Sequence, residues 1–415
     1  MANDKSLLEQ YAAVVGSEVI DHLKQLSRPL QGARVLHVNS TKEGGGVAEI
    51  LHRLVPLKRE LGMETDWEVI TGEAEFYQCT KNFHNTLQGH RYDIPDRQLE
   101  VYEQTNSDNF ERLREKLEQA DYVFIHDPQP APLLSHCAQR KGKWIWRCHI
   151  DLSHPYRPVW KYLREYVKDY DSSVWSLPAF SQRMPHPMYI IPPSIDPLSE
   201  KNMDLAPDDL NNLYDEFGLD ARRPIITQVS RFDRFKDPIG VIHAYRLAKA
   251  FTPLQLILAG GGATDDPEGE LVLSEVKAAA EDDPDIHILL LPAVAHKVIN
   301  GLQRISDIVV QKSLKEGFGL TVTEAMWKGK PVIGGNVGGI RLQVINHHTG
   351  FLVDTPEGAA FRIRYLLKRK EKRLEMGEKA RDFVLENFLI TRHLREYMTL
   401  MVGMKDHNNE RIMLG

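Results

Sequence analysis

The feature that most restricts how this chain can fold is an alternation, made twice over, of short β-rich runs with stretches of helical periodicity. The first series has strand-like runs at 33–38, 66–70, 121–126, 143–148, 173–177 and 188–191, and the second at 225–230, 254–259, 286–291, 307–311, 331–333 and 351–353. Strands separated by helices are joined by crossovers, so they lie parallel in a sheet covered on both faces. The expectation is an α/β chain with two doubly wound parallel sheets. Such sheets bind ligands beyond the carboxyl ends of their strands, which makes the residues just after each run the candidates for chemistry.

A chain of 415 residues is too long for one ordinary core and divides into two domains of about 200 residues each. Residues 191–197, Ile-Pro-Pro-Ser-Ile-Asp-Pro, have their φ angles fixed at three prolines and suit a stiff crossing between the two. Leu7, Leu8, Tyr11, Val14, Val15, Val19 and Leu23 recur at helical spacing and predict one or two amphipathic helices, either packed on the first domain or serving as a dimerisation or acceptor-side element. Residues 378–401 read as a helical tail. The segment 72–89 shows no clear period and is expected to be a loop that meets the acceptor, with Phe76, Tyr77, Phe83, His84 and Asn85 as contacts.

A net charge of −6 argues against nucleic acid or a membrane surface as the main partner. Local charge differs, since Arg231, Arg234, Lys236, Lys312, Lys315 and Arg341 cluster in sequence around one region. Cys79, Cys137 and Cys148 are too few and too irregularly spaced for a disulfide framework or a cysteine zinc site, which fits a reducing, cytoplasmic setting. No run has the length of a signal peptide's apolar region or of a membrane span.

The richest stretch is 315–326, Lys-Glu-Gly-Phe-Gly-Leu-Thr-Val-Thr-Glu-Ala-Met, between the strand-like run ending at Gln311 and a helical pattern. Gly317, Phe318 and Gly319 form a strand-to-helix turn. A helix beginning near Leu320 would offer the unpaired N–H groups of Leu320 and Thr321, and its positive dipole end, to a diphosphate. Glu324 then lies one turn in, where its carboxylate can accept hydrogen bonds from ribose hydroxyls, and Glu316 stands before the turn for sugar hydroxyls. The plain alternative is a glycine turn followed by a solvated glutamate. After the run 225–230 come Arg231 and Lys236, fixed cations where a leaving diphosphate would need them. Gly44, Gly45 and Gly46 remove side chains between the first strand and a helix expected from Val47 to Leu61, and the turn at Gly260, Gly261 and Gly262 leaves room for a nucleoside. His149 and Asp151, after the run 143–148, are further candidates.

A metal is not expected. Asp169-Tyr170-Asp171 and Asp283-Pro284-Asp285 match D-x-D, but the second precedes its strand and so falls at the end away from ligands, and the adjacent His347 and His348 are poorly spaced for one helix face.

The run E-G-F-G-L-T-V-T-E from Glu316 to Glu324 resembles the E-x7-E motif of the retaining family 4 glycosyltransferases, which have the GT-B fold. Together with the glycine turn at 42–47 and Arg147-Cys148-His149-Ile150-Asp151, the resemblance extends over most of the chain to archaeal members that make trehalose. It implies two Rossmann-like domains facing a central cleft, an acceptor domain at 1–196 with 392–415 packed back on it, and a nucleotide-sugar domain at 197–391. It also implies that Arg231 and Lys236 bind the donor diphosphate, that Glu316 and His149 contact the donor sugar, and that the glycine loop approaches donor phosphate and acceptor. The implied reaction moves α-glucosyl from ADP-, UDP- or GDP-glucose to free glucose, giving trehalose without a further cofactor, in a monomer or a homodimer. A trehalose phosphorylase, an epimerase of the same shape, another acceptor and a sugar-nucleotide sensor stay open.

Overall fold

The computed structural model describes residues 5–43, 45–261, 267–292 and 294–405. The chain forms two compact units, the first from Met1–Pro193 with Ile390–Gly415, the second from Ser194–Leu389.

The first unit holds a six-stranded sheet of β1 (Arg34–Asn39), β2 (Glu64–Val69), β3 (Tyr122–His126), β4 (Lys143–Cys148), β5 (Ser172–Trp175) and β6 (Met188–Ile190). Its order is β2-β1-β3-β4-β5-β6 and every pairing is parallel. β3 and β5 are buried at every residue, as parallel strands covered on both faces should be. Val123, Ile125, Trp144, Trp146 and Trp175 form the centre of the core. The helices Leu7–Val15 and Ser17–Ser27 bury Leu8, Tyr11, Ile20, Leu23 and Leu26 in this unit, so their apolar faces are used within it. Gly16, at φ +90°, separates the two helices.

The second unit holds β7 (Ile225–Val229), β8 (Gln255–Gly260), β9 (Ile286–Leu290), β10 (Ile308–Gln311), β11 (Val332–Gly335) and β12 (Gly350–Val353), in the order β12-β11-β10-β7-β8-β9 and again all parallel. Counted from β7, this is the 6-5-4-1-2-3 arrangement, which runs outward in opposite directions from β7 and β10. The junction of β7 and β10 is therefore the switch point at which open α/β sheets form their ligand crevice. In the first unit the corresponding junction is β1 with β3.

The proline segment spans the passage from one unit to the other. Arg392 donates to the carbonyls of Pro192 and Pro193 at 3.0 and 2.9 Å, and Ile195 N–H donates to Phe388 C=O at 2.9 Å. The outgoing and returning strands of chain are thus tied side by side.

Two expectations are corrected here. Residues 72–89 are not a loop: Ala74–Leu87 is a helix that buries Phe76, Cys79, Thr80, Phe83 and Leu87. These recur at three and four residues, and Phe76 and Phe83 belong to the core. The tail read as one helix is two, Lys370–Asn387 in the second unit and Ile390–Lys405 in the first. The break falls where Leu389 pairs with Ile195. All three cysteines are buried and unpaired, and no helix among the described residues is long and apolar enough to cross a membrane.

Candidate active site

Three neighbouring strands of the second unit deliver the residues. β7 is followed by Arg231 to Asp237, β10 by Lys312 to Gly319, and β11 by Asn336 to Gly339. Lys236 Nζ lies 2.7 Å from Glu316 Oε1, with side chains only 18% and 9% exposed. Ser313 Oγ donates to the other carboxylate oxygen at 3.1 Å, and Gln228 Nε2 holds the Lys236 carbonyl at 2.7 Å. The ammonium carries three N–H donors and spends one on Glu316 among the described residues, leaving two for an anion.

The turn itself is built as its glycines allow. Gly319, at φ +82°, caps the helix Leu320–Trp327, and a Cβ there would meet Glu316 Cγ at 3.2 Å, so the glutamate side chain folds over this glycine. Val322 N–H bonds back to Gly319 C=O, whereas the N–H groups of Leu320 and Thr321 have no hydrogen bond among the described residues. Those are the two donors the sequence pattern assigns to a diphosphate. Phe318 contributes backbone only: its ring is buried, edge-on to Phe388 at 5.6 Å. Gly317 is exposed, with open space where a Cβ would stand. Glu324 is 5% exposed in the helix, and its carbonyl accepts from Lys328, whose ammonium burial lowers to about 7.

Residues not singled out from the sequence hold this turn. Gly339 N–H donates to Gly317 C=O at 2.7 Å, and Gln343 Nε2 donates to Phe318 C=O while its Oε1 accepts from Thr323. A Cβ on Gly338 would come within 1.9 Å of Glu316 O, and one on Gly339 within 2.5 Å of Phe318 Cα. The Gly-Gly pair following β11 was the available signal, since a double glycine after a strand marks close backbone approach.

The cations that cluster in sequence have different surroundings. Lys312 is buried in an ion pair with Asp237, which caps the helix Pro238–Lys249 from a left-handed backbone, and Arg234 pairs with Glu275 at 2.8 Å. Arg231 is 66% exposed with Asp233 at 3.6 Å, and Lys315 lies over the Phe235 ring. Lys236 and Glu316 are thus brought together, while no contact among the described residues joins Arg231 to them.

The glycine turn expected to leave room for a nucleoside has a different cause in part. Gly260 closes β8, and a Cβ there would fall 1.8 Å from Ser230 O, so it is the passage of the β7 loop that demands glycine. At Gly261 a Cβ would stand 3.3 Å from Leu291 O. Gly262 lies outside the described residues.

In the first unit the helix after β1 is Gly45–Glu60, so Gly45 and Gly46 are its first turn instead of part of a loop. Gly45, at φ +78° with open space around it, makes the entry. Gly44 lies outside the described residues. Asn39 is buried, donating to Thr41 C=O and accepting from Trp67, and Asp151 accepts from Ser153 N–H. His149 follows β4, its N–H donating to Asp127 Oδ1 at 2.7 Å and its Nε2 lying 3.0 Å from His126 Nδ1. Burial pushes Asp127 up to about 7. Burial, followed by the neighbouring charge of Arg147, holds His149 well below the ordinary imidazole range.

Of the two D-x-D runs, Asp283 and Asp285 both bind Lys249, at 2.6 and 2.8 Å, and Arg223 takes Asp285 at 2.7 Å. Asp171 is held by Arg140 at 2.6 Å.

Two parallel sheets in one chain, with an E-x7-E turn at the switch point of the second, define a glycosyltransferase of the GT-B fold. Residues 37–182 match the family described as trehalose synthase, N-terminal domain, and 211–383 match glycosyl transferases group 1. A trehalose synthase of Pyrococcus horikoshii is 44% identical over 405 residues, 96% of this chain and 97% of that protein. A trehalose phosphorylase of Pleurotus pulmonarius is 30% identical over 83% of this chain but only 54% of its own length. Among solved structures, one from E. coli described as trehalose-6-phosphate bound with UDP-2-fluoro glucose superposes with a TM-score of 0.72, 14% identity, and coverage of 89% of this chain and 99% of that one. The chain belongs to the trehalose synthase family.

Proposed function

We propose that this protein transfers an α-glucosyl group from a nucleoside-diphosphate glucose to free glucose, forming trehalose with retained configuration. The observation that carries the reading is the junction of β7 and β10, where a cation, a carboxylate and two helix N–H groups unpaired among the described residues meet at a switch point. The glucosyl C1–O bond to phosphate breaks, a C1–O bond to the acceptor forms, and the acceptor proton passes to the departing phosphate oxygen. Negative charge grows on that oxygen as the bond breaks. Lys236, Arg231 and the N–H groups of Leu320 and Thr321 stabilise it without a metal. Glu316, held by Lys236 and Ser313, is the acceptor for sugar hydroxyls. Glu324 binds the ribose.

Free glucose is favoured over glucose 6-phosphate because the first unit's candidates, Asn39, Glu43, Gly44, Gly45, Gly46, His84, Asn85, His149 and Asp151, lack the dense basic cluster a phosphate would require. Incubation with ADP-, UDP- or GDP-glucose and each acceptor, followed by NMR of the products, tests this. Trehalose from glucose is the expected result, and exclusive use of glucose 6-phosphate overturns it. Likeness to trehalose phosphorylase supports a second reading, in which inorganic phosphate takes the nucleotide's part; trehalose breakdown that requires phosphate and ignores ADP and UDP would favour it.

A further inference from the structure

A buried chain of nitrogen atoms runs from the interior of the first unit to His149. Lys58 Nζ lies 2.8 Å from His37 Nε2, His37 Nδ1 lies 3.0 Å from His126 Nε2, and His126 Nδ1 lies 3.0 Å from His149 Nε2. Lys58 comes from the helix Gly45–Glu60, His37 from β1 and His126 from β3, and His149 follows β4, so the chain crosses the switch point of this sheet. Lys58 and His37 are each 0% exposed and His126 is 2% exposed. Among the described residues no group of three or more His, Cys, Asp or Glu is arranged to hold a metal ion, and the reaction described above gives Lys58, His37 and His126 no role.

Each nitrogen–nitrogen contact needs one proton, and the chain's polarity is fixed at one end. An ammonium has protons and no lone pair, so His37 Nε2 must be the bare nitrogen that accepts from Lys58. A neutral His37 then carries its proton on Nδ1 and donates to His126 Nε2. His126 in turn donates from Nδ1 to His149 Nε2. The remaining proton of His149 is on Nδ1, which has no hydrogen-bond partner among the described residues. We infer that Lys58, acting through His37 and His126, is a positioning residue that fixes His149 as a neutral donor, so that it presents Nδ1–H to a hydroxyl oxygen of a bound sugar.

The surroundings put both ends of the chain in the required state below a pH of about 7, where Lys58 is an ammonium. Lys58 Nζ stands 4.6 Å from the centre of the Phe124 ring and 5.2 Å from that of Tyr397, two faces that favour an ammonium, although burial brings it down to about 7. Burial, together with the Arg147 and Lys58 charges, holds His126 at about 3, and His37 is also far below its usual range. The other charged or titratable groups around the chain are Asp127 after β3, Arg147 on β4, and Arg392, His393, Glu396 and Tyr397 on the helix Ile390–Lys405. A histidine held in this way cannot take the acceptor's proton at Nδ1. It is a fixed donor and not a base.

The assignment of a sugar hydroxyl rests on the proposed function, but the tautomer does not, and the experiment separates them. Long-range proton–nitrogen NMR of full-length protein labelled with 15N-histidine distinguishes Nδ1–H from Nε2–H, the His149 signal being identified by its loss in His149→Asn. Wild type at a pH of about 6, where Lys58 is charged and His149 is still neutral, is expected to show His149 as Nδ1–H. Lys58→Met should shift it toward a mixture of tautomers and weaken binding of UDP-glucose or ADP-glucose about tenfold, the scale of one hydrogen bond. An Nε2–H or imidazolium His149 in wild type would overturn the inference without any variant being needed. An unchanged Nδ1–H signal in folded Lys58→Met would overturn the role of Lys58. The expected tautomer change with unaltered nucleotide-sugar binding would overturn only the sugar-hydroxyl part.

Discussion

Lys236 Nζ and Glu316 Oε1 are 2.7 Å apart across 80 residues of sequence, joining the ends of the two strands that flank the second sheet's switch point. A cation so placed neutralises a nearly buried carboxylate, and in the proposed reaction it would offer its remaining protons to a phosphate. Loss of Lys236 should therefore cost both fold and rate. Lys236→Ala is expected to lower kcat by roughly 10² or more and to lower the melting temperature, because Glu316 is left unpaired. Arg231→Ala, at an exposed side chain, should cost turnover on a similar scale with little change in melting temperature. Steady-state kinetics and thermal melts of both variants check this, and near-normal turnover in both would remove them from the mechanism.

The glycines of the turn separate into two kinds. At Gly339 the space is occupied by Phe318 Cα, so Gly339→Ala should destabilise the second unit by about 1–3 kcal/mol. At Gly317 a Cβ meets nothing within 4 Å, and Gly317→Ala should fold normally. Its effect is expected only when donor binds, as a raised KM with an unchanged melting temperature. A Gly317→Ala protein with wild-type KM would show that no ligand approaches this backbone.

The strands were legible because parallel, doubly covered strands are continuous apolar runs; 143–148 coincides with β4, and most others differ by one or two residues. The helix Ala74–Leu87 was hidden because its buried face includes Cys79, Thr80 and Thr86 among polar neighbours, which blurs the period. The turn at 316–324 could be read because glycine, glutamate and helix start are local signals. What holds it could not: Gln343 reaches the turn, and Lys312 reaches Asp237, through contacts made only by the sheet's order. The histidine chain joins residues 21, 89 and 23 positions apart, a spacing without any local signature.

Metal independence is predicted from where the paired aspartates spend their charge. Asp283 and Asp285 share Lys249, and Asp285 also binds Arg223, so a divalent cation there would have to displace two basic side chains. In the proposed reaction Lys236 and Arg231 supply the positive charge instead. Exhaustive chelation should leave transfer largely intact, measured as nucleoside diphosphate released per minute before and after EDTA. Activity lost to EDTA and restored by Mg²⁺ or Mn²⁺ alone would overturn this.

The neutral histidines of the first unit also set how the protein meets acid. His37, His126, His149 and His393 are held below the ordinary imidazole value, chiefly by burial. An unfolded chain protonates all four below a pH of about 6.5, while the folded chain does not. The unfolded state therefore binds more protons, and the stability these groups lend above that pH is lost as pH falls toward their folded values, at about 1.4 kcal/mol per pH unit for each group. Lys58, lowered to about 7, has the same sign in a higher window, losing stability as pH falls from the lysine range to 7. Asp127 opposes them: raised to about 7, it is protonated sooner in the folded chain and gains stability as pH falls from 7 toward the ordinary carboxylate value. Four groups against one leave a net loss below pH 6.5. Trp67, Trp144, Trp146, Trp160 and Trp175 all lie in the first unit, with Trp327 in the second, so tryptophan fluorescence reports mainly on the unit concerned. Its thermal midpoint is expected to fall by several degrees between pH 7.5 and pH 5. A midpoint that is equal or higher at pH 5 would mean that the folded chain already carries these histidines protonated, and the polarity derived from Lys58 would fail with it.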